Sequence, residues 1–129
     1  MTIPNSLTSV KIAVVDDDCH VRASYVELLT AVGCKVVAYA TGGDFLQHVQ
    51  DDAPQCIILD LRLPDMSGLD VQAELSARRI DVPLIFVSGA ARPQEIRKAL
   101  AQGAVALLDK PVDVQLLMER VRQAVLPQP

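Results

Sequence analysis

The sequence predicts an α/β fold, a five-stranded parallel sheet wound in both directions with helices on its two faces. Three observations predict it. Short apolar runs alternate with longer amphipathic stretches five times along the 129 residues. The first run, Ile12-Ala13-Val14-Val15, is continuous, which marks a strand covered on both faces, and Cys56-Ile57-Ile58-Leu59 is also apolar throughout. No hairpin signal separates neighbouring runs, so each connection is a crossover, and such crossovers are right-handed. At 50% hydrophobic and 22% charged residues, the chain can build one core and has no length for a second. Its aromatic residues are only Tyr25, Tyr39, Phe45 and Phe86, so the interior falls to Val, Leu, Ile and Ala.

The first strand is expected over Lys11–Val15. From about His20, residues Val21, Tyr25, Leu28, Leu29 and Val32 recur at helical spacing, and Gly33 stops that helix. Lys35–Tyr39 is the second strand. A short helix over residues 44–50 turns Phe45, Leu46 and Val49 inward, and a polar turn at 51–54 leads to the third strand, 56–59. After a loop holding Pro64 and Gly68, a helix over 69–79 buries Val71 and Leu75, and Pro83 introduces the fourth strand, 84–87. Pro93 suits the first turn of the next helix, which carries Ile96, Ala99 and Leu100 on one face and ends at Gly103. A weak fifth strand spans 104–108. The last helix, 113–125, carries the stripe Val114, Leu117, Met118, Val121 and Val125. A flavodoxin-like sheet of order 2-1-3-4-5 is the simplest arrangement of these units. The domain is expected over 10–126, with an N-terminal extension at 1–9 and the start of a linker at 127–129.

A net charge of −4 without any Lys/Arg run argues against direct nucleic-acid binding. Cys19, Cys34 and Cys56 lack metal-ligand spacing and sit beside apolar residues, as reduced thiols do. The first nine residues hold neither a basic cluster nor an apolar run, and no run of about 18 apolar residues follows, so a cytoplasmic, membrane-free protein is expected. His20 and His48 stand alone on helices with no ligand or nucleophile partner.

In doubly wound sheets ligands gather at the carboxyl ends of the strands. There the sequence places Asp16, Asp17 and Asp18 after the first strand, Asp60 after the third, Ser88 after the fourth and Lys110 after the fifth. Read alone, Asp16 to Asp18 fit a solvated helix start as well as a ligand set. Asp60 adds a carboxylate close to them, and the resulting repulsion is what a divalent cation relieves. Oxygen donors without His or Cys suit Mg²⁺. Such a site suits phosphoryl transfer to Asp60 as nucleophile, with Lys110 and Ser88 stabilising the phosphoryl oxygens.

Four segments carry a family resemblance: Val-Val-Asp-Asp-Asp at 14–18, Leu-Asp-Leu-Arg-Leu-Pro-Asp-Met-Ser-Gly at 59–68, Val-Ser-Gly-Ala at 87–90 and Asp-Lys-Pro at 109–111. In this order and spacing the sequence resembles a response-regulator receiver domain of two-component signalling, with a CheY-like fold. The resemblance implies Asp60 as phosphoacceptor, Asp17 as direct metal ligand, Asp16 acting largely through water, and the Arg62 backbone carbonyl as a further ligand. It implies Ser88 as switch hydroxyl, Lys110 as phosphate-binding cation and a cis bond before Pro111. A sensor histidine kinase is the implied donor. Because Ser88 precedes the fourth helix and Lys110 follows the fifth strand, phosphate contacts at both are expected to remodel the face of the fourth helix, fifth strand and fifth helix and to promote a phosphorylation-linked homodimer. The segment around Asp60 also resembles receivers fused to helix-turn-helix DNA-binding domains, so an output domain beyond residue 129 is expected. Leu107 and Val112 depart from the family, which often has aromatic residues there.

Rival chemistries fit less well. A phosphatase of the haloacid-dehalogenase type needs a second acid two residues after its nucleophile, where this chain has Arg62. A flavin binder needs an anion cradle after the first strand, and Asp16 to Asp18 would repel the phosphate. A phosphorylation-independent module on the same fold would be expected to have lost acids or the lysine.

Overall fold

A computed structural model describes residues 7–126; most of the expected extension at 1–9 and all of the linker start at 127–129 lie outside the described residues. The strands are β1 (Lys11–Val15), β2 (Lys35–Tyr39), β3 (Cys56–Asp60), β4 (Leu84–Ser88) and β5 (Ala106–Asp109). They form one sheet of order β2-β1-β3-β4-β5, with every pairing parallel. The helices are α1 (Cys19–Ala31), α2 (Gly42–His48), α3 (Gly68–Ala77), α4 (Pro93–Ala101) and α5 (Val114–Val125).

Successive strand residues point to opposite faces, so a strand covered twice must be apolar throughout. Ile12, Val14, Ile58, Ile85 and Val87 pack with Tyr25 and Leu29 of α1 and Leu117, Met118 and Val121 of α5. On the other face Ala13, Val15, Ile57, Leu59 and Phe86 pack with Phe45 and Leu46 of α2, Val71 and Leu75 of α3 and Ala99 of α4. Fully burying each large aliphatic side chain contributes about 1.5–3 kcal/mol, which makes these two layers the main source of stability.

Helix starts follow from capping. Asp18 accepts from the His20 and Val21 amides, Ser67 and Asp70 form a reciprocal box at α3, and Asp113 accepts from the Leu116 amide. α2 begins at Gly42, earlier than its apolar pattern indicates. Thr41 caps it, and the Asp65 carboxylate, from the loop after β3, accepts from the Gly42 and Gly43 amides at 3.1 and 2.8 Å.

Other features refine the sequence reading. β2 has a free edge and no fully buried residue, so its apolar run is half-covered. The inward stripes on α4 and α5 are shorter than expected: Leu100, late in α4, is 47% exposed and Val114, the first residue of α5, 50%. α4 buries only Ala99. Gly68 is the first residue of α3 and not part of a loop. Leu7, the first described residue, is already buried in the core, and the Ser9 amide donates to the Gly33 carbonyl at 2.8 Å.

Candidate functional site

The parallel register brings the strand ends level, pairing Val15 with Leu59, Asp60 with Val87 and Ser88 with Asp109. The groups that follow therefore meet at one edge of the sheet. Asp16, Asp60 and Ser88 are buried there, while Asp17 is exposed at the mouth. Asp16, Asp17 and Asp60 can each offer a carboxylate oxygen within 4.8 Å of the others. Asp18 lies outside this set because its carboxylate caps α1.

Lys110 joins the two buried acids. Its ammonium donates to Asp16 Oδ2 at 2.9 Å and to Asp60 Oδ2 at 2.8 Å. The second oxygens are also engaged: Asp16 Oδ1 accepts from the Asp18 amide and Asp60 Oδ1 from the Arg62 amide, both at 2.9 Å. Burial pushes the Asp60 carboxyl above its ordinary range, against the pull of Lys110 and the Arg62 amide. Burial alone would lower the Lys110 pKa, but the bonds to Asp60 and Asp16 outweigh it and hold the ammonium charged. One ammonium among three carboxylates leaves the edge negative. An all-oxygen set with excess negative charge fits a hard divalent cation.

Ser88 Oγ accepts from the Ala90 amide at 3.2 Å, and the Lys110 amide donates to the Ser88 carbonyl at 2.9 Å. The Lys110–Pro111 bond is cis. A Cβ added to Gly68 would stand 2.6 Å from the Asp60 carbonyl oxygen, so α3 seats its first turn directly on the end of β3. Of the residues picked out by sequence, Asp16, Asp17, Asp60, Lys110 and the Arg62 backbone come together here and Ser88 is buried at the same edge, while Asp18 does not join them.

The family description "response regulator receiver domain" matches residues 12–122. The chain belongs to this family. Among curated relatives, the receiver domain is 39% identical over 114 residues to nodulation protein W of Bradyrhizobium diazoefficiens, covering 88% of this chain and 50% of that protein. It is 36% identical over 113 residues to the response regulator protein TodT of Pseudomonas putida, with the same coverage of 88% and 50%. The chain thus spans half the length of both relatives. A solved CheY-like receiver domain protein from Methanospirillum hungatei superposes with a TM-score of 0.86 at 28% identity, covering 92% of this chain and 94% of that one. The fold is CheY-like, and the receiver domain is a signalling domain of two-component systems.

Two features of the receiver domain were not read from its sequence. The Arg62 guanidinium, beyond its backbone, grips Glu95 of α4 and the Ala90 carbonyl. Asp65 caps α2 from across the site, and the Gly43 and Gly42 amides hold its carboxyl below the ordinary range. A sequence signal existed only for Glu95, which stands three residues after Arg92 and accepts from its amide at 2.9 Å. Leu107, at the position where the family often has an aromatic ring, is half-buried against the second core layer.

Proposed function

We propose that this receiver domain is a phosphorylation-activated switch whose Asp60 accepts a phosphoryl group from a sensor histidine kinase in a Mg²⁺-dependent reaction. The observation that supports it most is Lys110 paired with Asp60 and Asp16 at the carboxyl edge of the sheet. In this reading Asp17 and Asp60 carboxylates and the Arg62 carbonyl hold Mg²⁺, with Asp16 acting through water. When bound, the ion supplies positive charge that offsets the carboxylates and draws charge from the phosphoryl oxygens.

The chain's own groups do the rest. An Asp60 oxygen attacks phosphorus, an O–P bond forms, and the N–P bond to the donor histidine breaks. Lys110 neutralises one phosphoryl oxygen and the Ser88 hydroxyl donates to another. Both contacts exist only in the modified protein, and that difference is what shifts the conformation. The domain catalyses only its own phosphorylation and dephosphorylation.

Output in this reading passes through α4, β5 and α5 to a second copy of the chain and to a DNA-binding domain beyond residue 129. Leu100 in α4 and Val105 just before β5 are exposed, and the chain spans half the length of these relatives. No helix among the described residues is long and apolar enough to cross a membrane.

The test is intact-mass measurement after incubation with acetyl phosphate, with and without Mg²⁺. Wild type should gain one phosphoryl group only with the metal, and Asp60→Asn should gain none. Equal uptake by Asp60→Asn would overturn the assignment. For output, sedimentation of the Leu100→Lys variant should show weaker phosphorylation-linked association than wild type; equal association would exclude this face.

A further inference from the structure

α4 is held differently from the other helices. α5 anchors itself through Leu117, Met118 and Val121, whereas α4 buries only Ala99. Polar contacts from the preceding βα unit make up the difference. Gln72 of α3 donates to the Ala99 carbonyl at 3.0 Å. Arg62, in the loop after β3, donates through its two terminal nitrogens to the Glu95 oxygens at 2.6 and 2.7 Å, a bidentate pair across the site mouth. The same guanidinium donates to the Ala90 carbonyl at 3.1 Å.

Ala90 is therefore clasped from two sides, its carbonyl by Arg62 and its amide by Ser88 Oγ. If the Ser88 hydroxyl moves toward Asp60, it drags the Ala90 amide or drops it. Dragging pulls on the residue whose carbonyl Arg62 holds, and dropping removes one of the two holds on Ala90. Arg62 also touches the acceptor itself, through its amide on Asp60 Oδ1. We propose that the Arg62 guanidinium and Glu95 form a strap that keeps α4 and the Gly89–Ala90 turn in the unphosphorylated arrangement and opposes engagement of the Ser88 hydroxyl. This strap rests on the reading of Asp60 as phosphoacceptor. A contact made in one state only biases the equilibrium toward that state by its own free energy.

Glu95→Gln isolates the strap, because a glutamine oxygen can still accept from the Arg92 amide and keep the helix start. In Glu95→Gln without phosphate, amide resonances of residues 89–96 should move toward their positions in wild type loaded with beryllium fluoride and Mg²⁺. Phosphorylation by acetyl phosphate should quicken by about twofold to fivefold, the scale of one exposed ion pair. Arg62→Gln should shift the same amides, and the double variant should shift them no further. Resonances of Glu95→Gln at the unloaded wild-type positions, or additive shifts in the double variant, would overturn the strap while wild-type loading at Asp60 still upholds the switch. Wild type that takes up neither beryllium fluoride nor phosphate would overturn both.

Discussion

Lys110 is the counter-ion of two buried carboxylates, and the neighbours respond unequally to its loss. Lys110→Ala leaves Asp16 and Asp60 facing each other unpaired and should cost about 2–4 kcal/mol in urea unfolding. Asp60→Asn leaves the Asp16–Lys110 pair intact and removes one of the like charges, so it should unfold no earlier than wild type. The sign of its pH dependence follows from burial, which raises the Asp60 pKa above the unfolded value of 3.8. Its contribution to stability is complete below that value and is lost as pH rises through the raised pKa. The advantage of Asp60→Asn over wild type should therefore grow across that window. Asp65 behaves oppositely, since the Gly43 and Gly42 amides depress its pKa. Its contribution is present above 3.8 and lost as pH falls through the depressed value, so Asp65→Asn should flatten the acid limb of the stability curve. Asp60 was legible because it closes an apolar strand with a charge, and Lys110 because it directly follows one. The Arg62–Glu95 and Asp65–Gly43 contacts were not, because they join segments 33 and 22 residues apart whose meeting depends on the packed fold.

Strands were the most legible elements. Double coverage writes itself as a continuous apolar run, and β1, β3 and β4 each carry one. β2 carries a similar run yet is half-exposed, since an edge position is a property of the sheet and leaves little trace in five residues. α4 and α5 were read as longer stripes than they bury, because helical spacing marks a face without marking where its neighbour ends. α3 has a tight seat at its first residue. The Cβ of Gly68→Ala would meet the Asp60 carbonyl, the Leu61 backbone and Phe86, all within 3.0 Å, and backbone cannot step aside cheaply. That variant should lose about 1–3 kcal/mol in thermal or urea unfolding. Gln72 is a milder case. Its Oε1 is buried without a partner, and the Ala99 carbonyl it bonds also accepts from the Ala104 amide. Gln72→Leu should therefore stay within about 1 kcal/mol of wild type, while hydrogen exchange quickens at the end of α4.

At the scale of the whole molecule, two core layers give rigidity and one edge of the sheet concentrates negative charge. In the proposed reading, a cation that binds this edge only in the folded chain adds stability by mass action, about 1.4 kcal/mol for each tenfold excess over its dissociation constant. Mg²⁺ should raise the melting temperature of wild type and do so less for Asp17→Ala; equal increments would place the ion elsewhere. The site is also spread widely along the chain, for Lys110 lies 94 residues beyond Asp16 and 50 beyond Asp60. During synthesis the acids therefore leave the ribosome long before their counter-ion. In the proposed reading, a nascent chain that has not yet released its last βα unit holds Asp60 without the ammonium that neutralises it, and a product terminated before Lys110 should fail to switch however much of the sheet it forms.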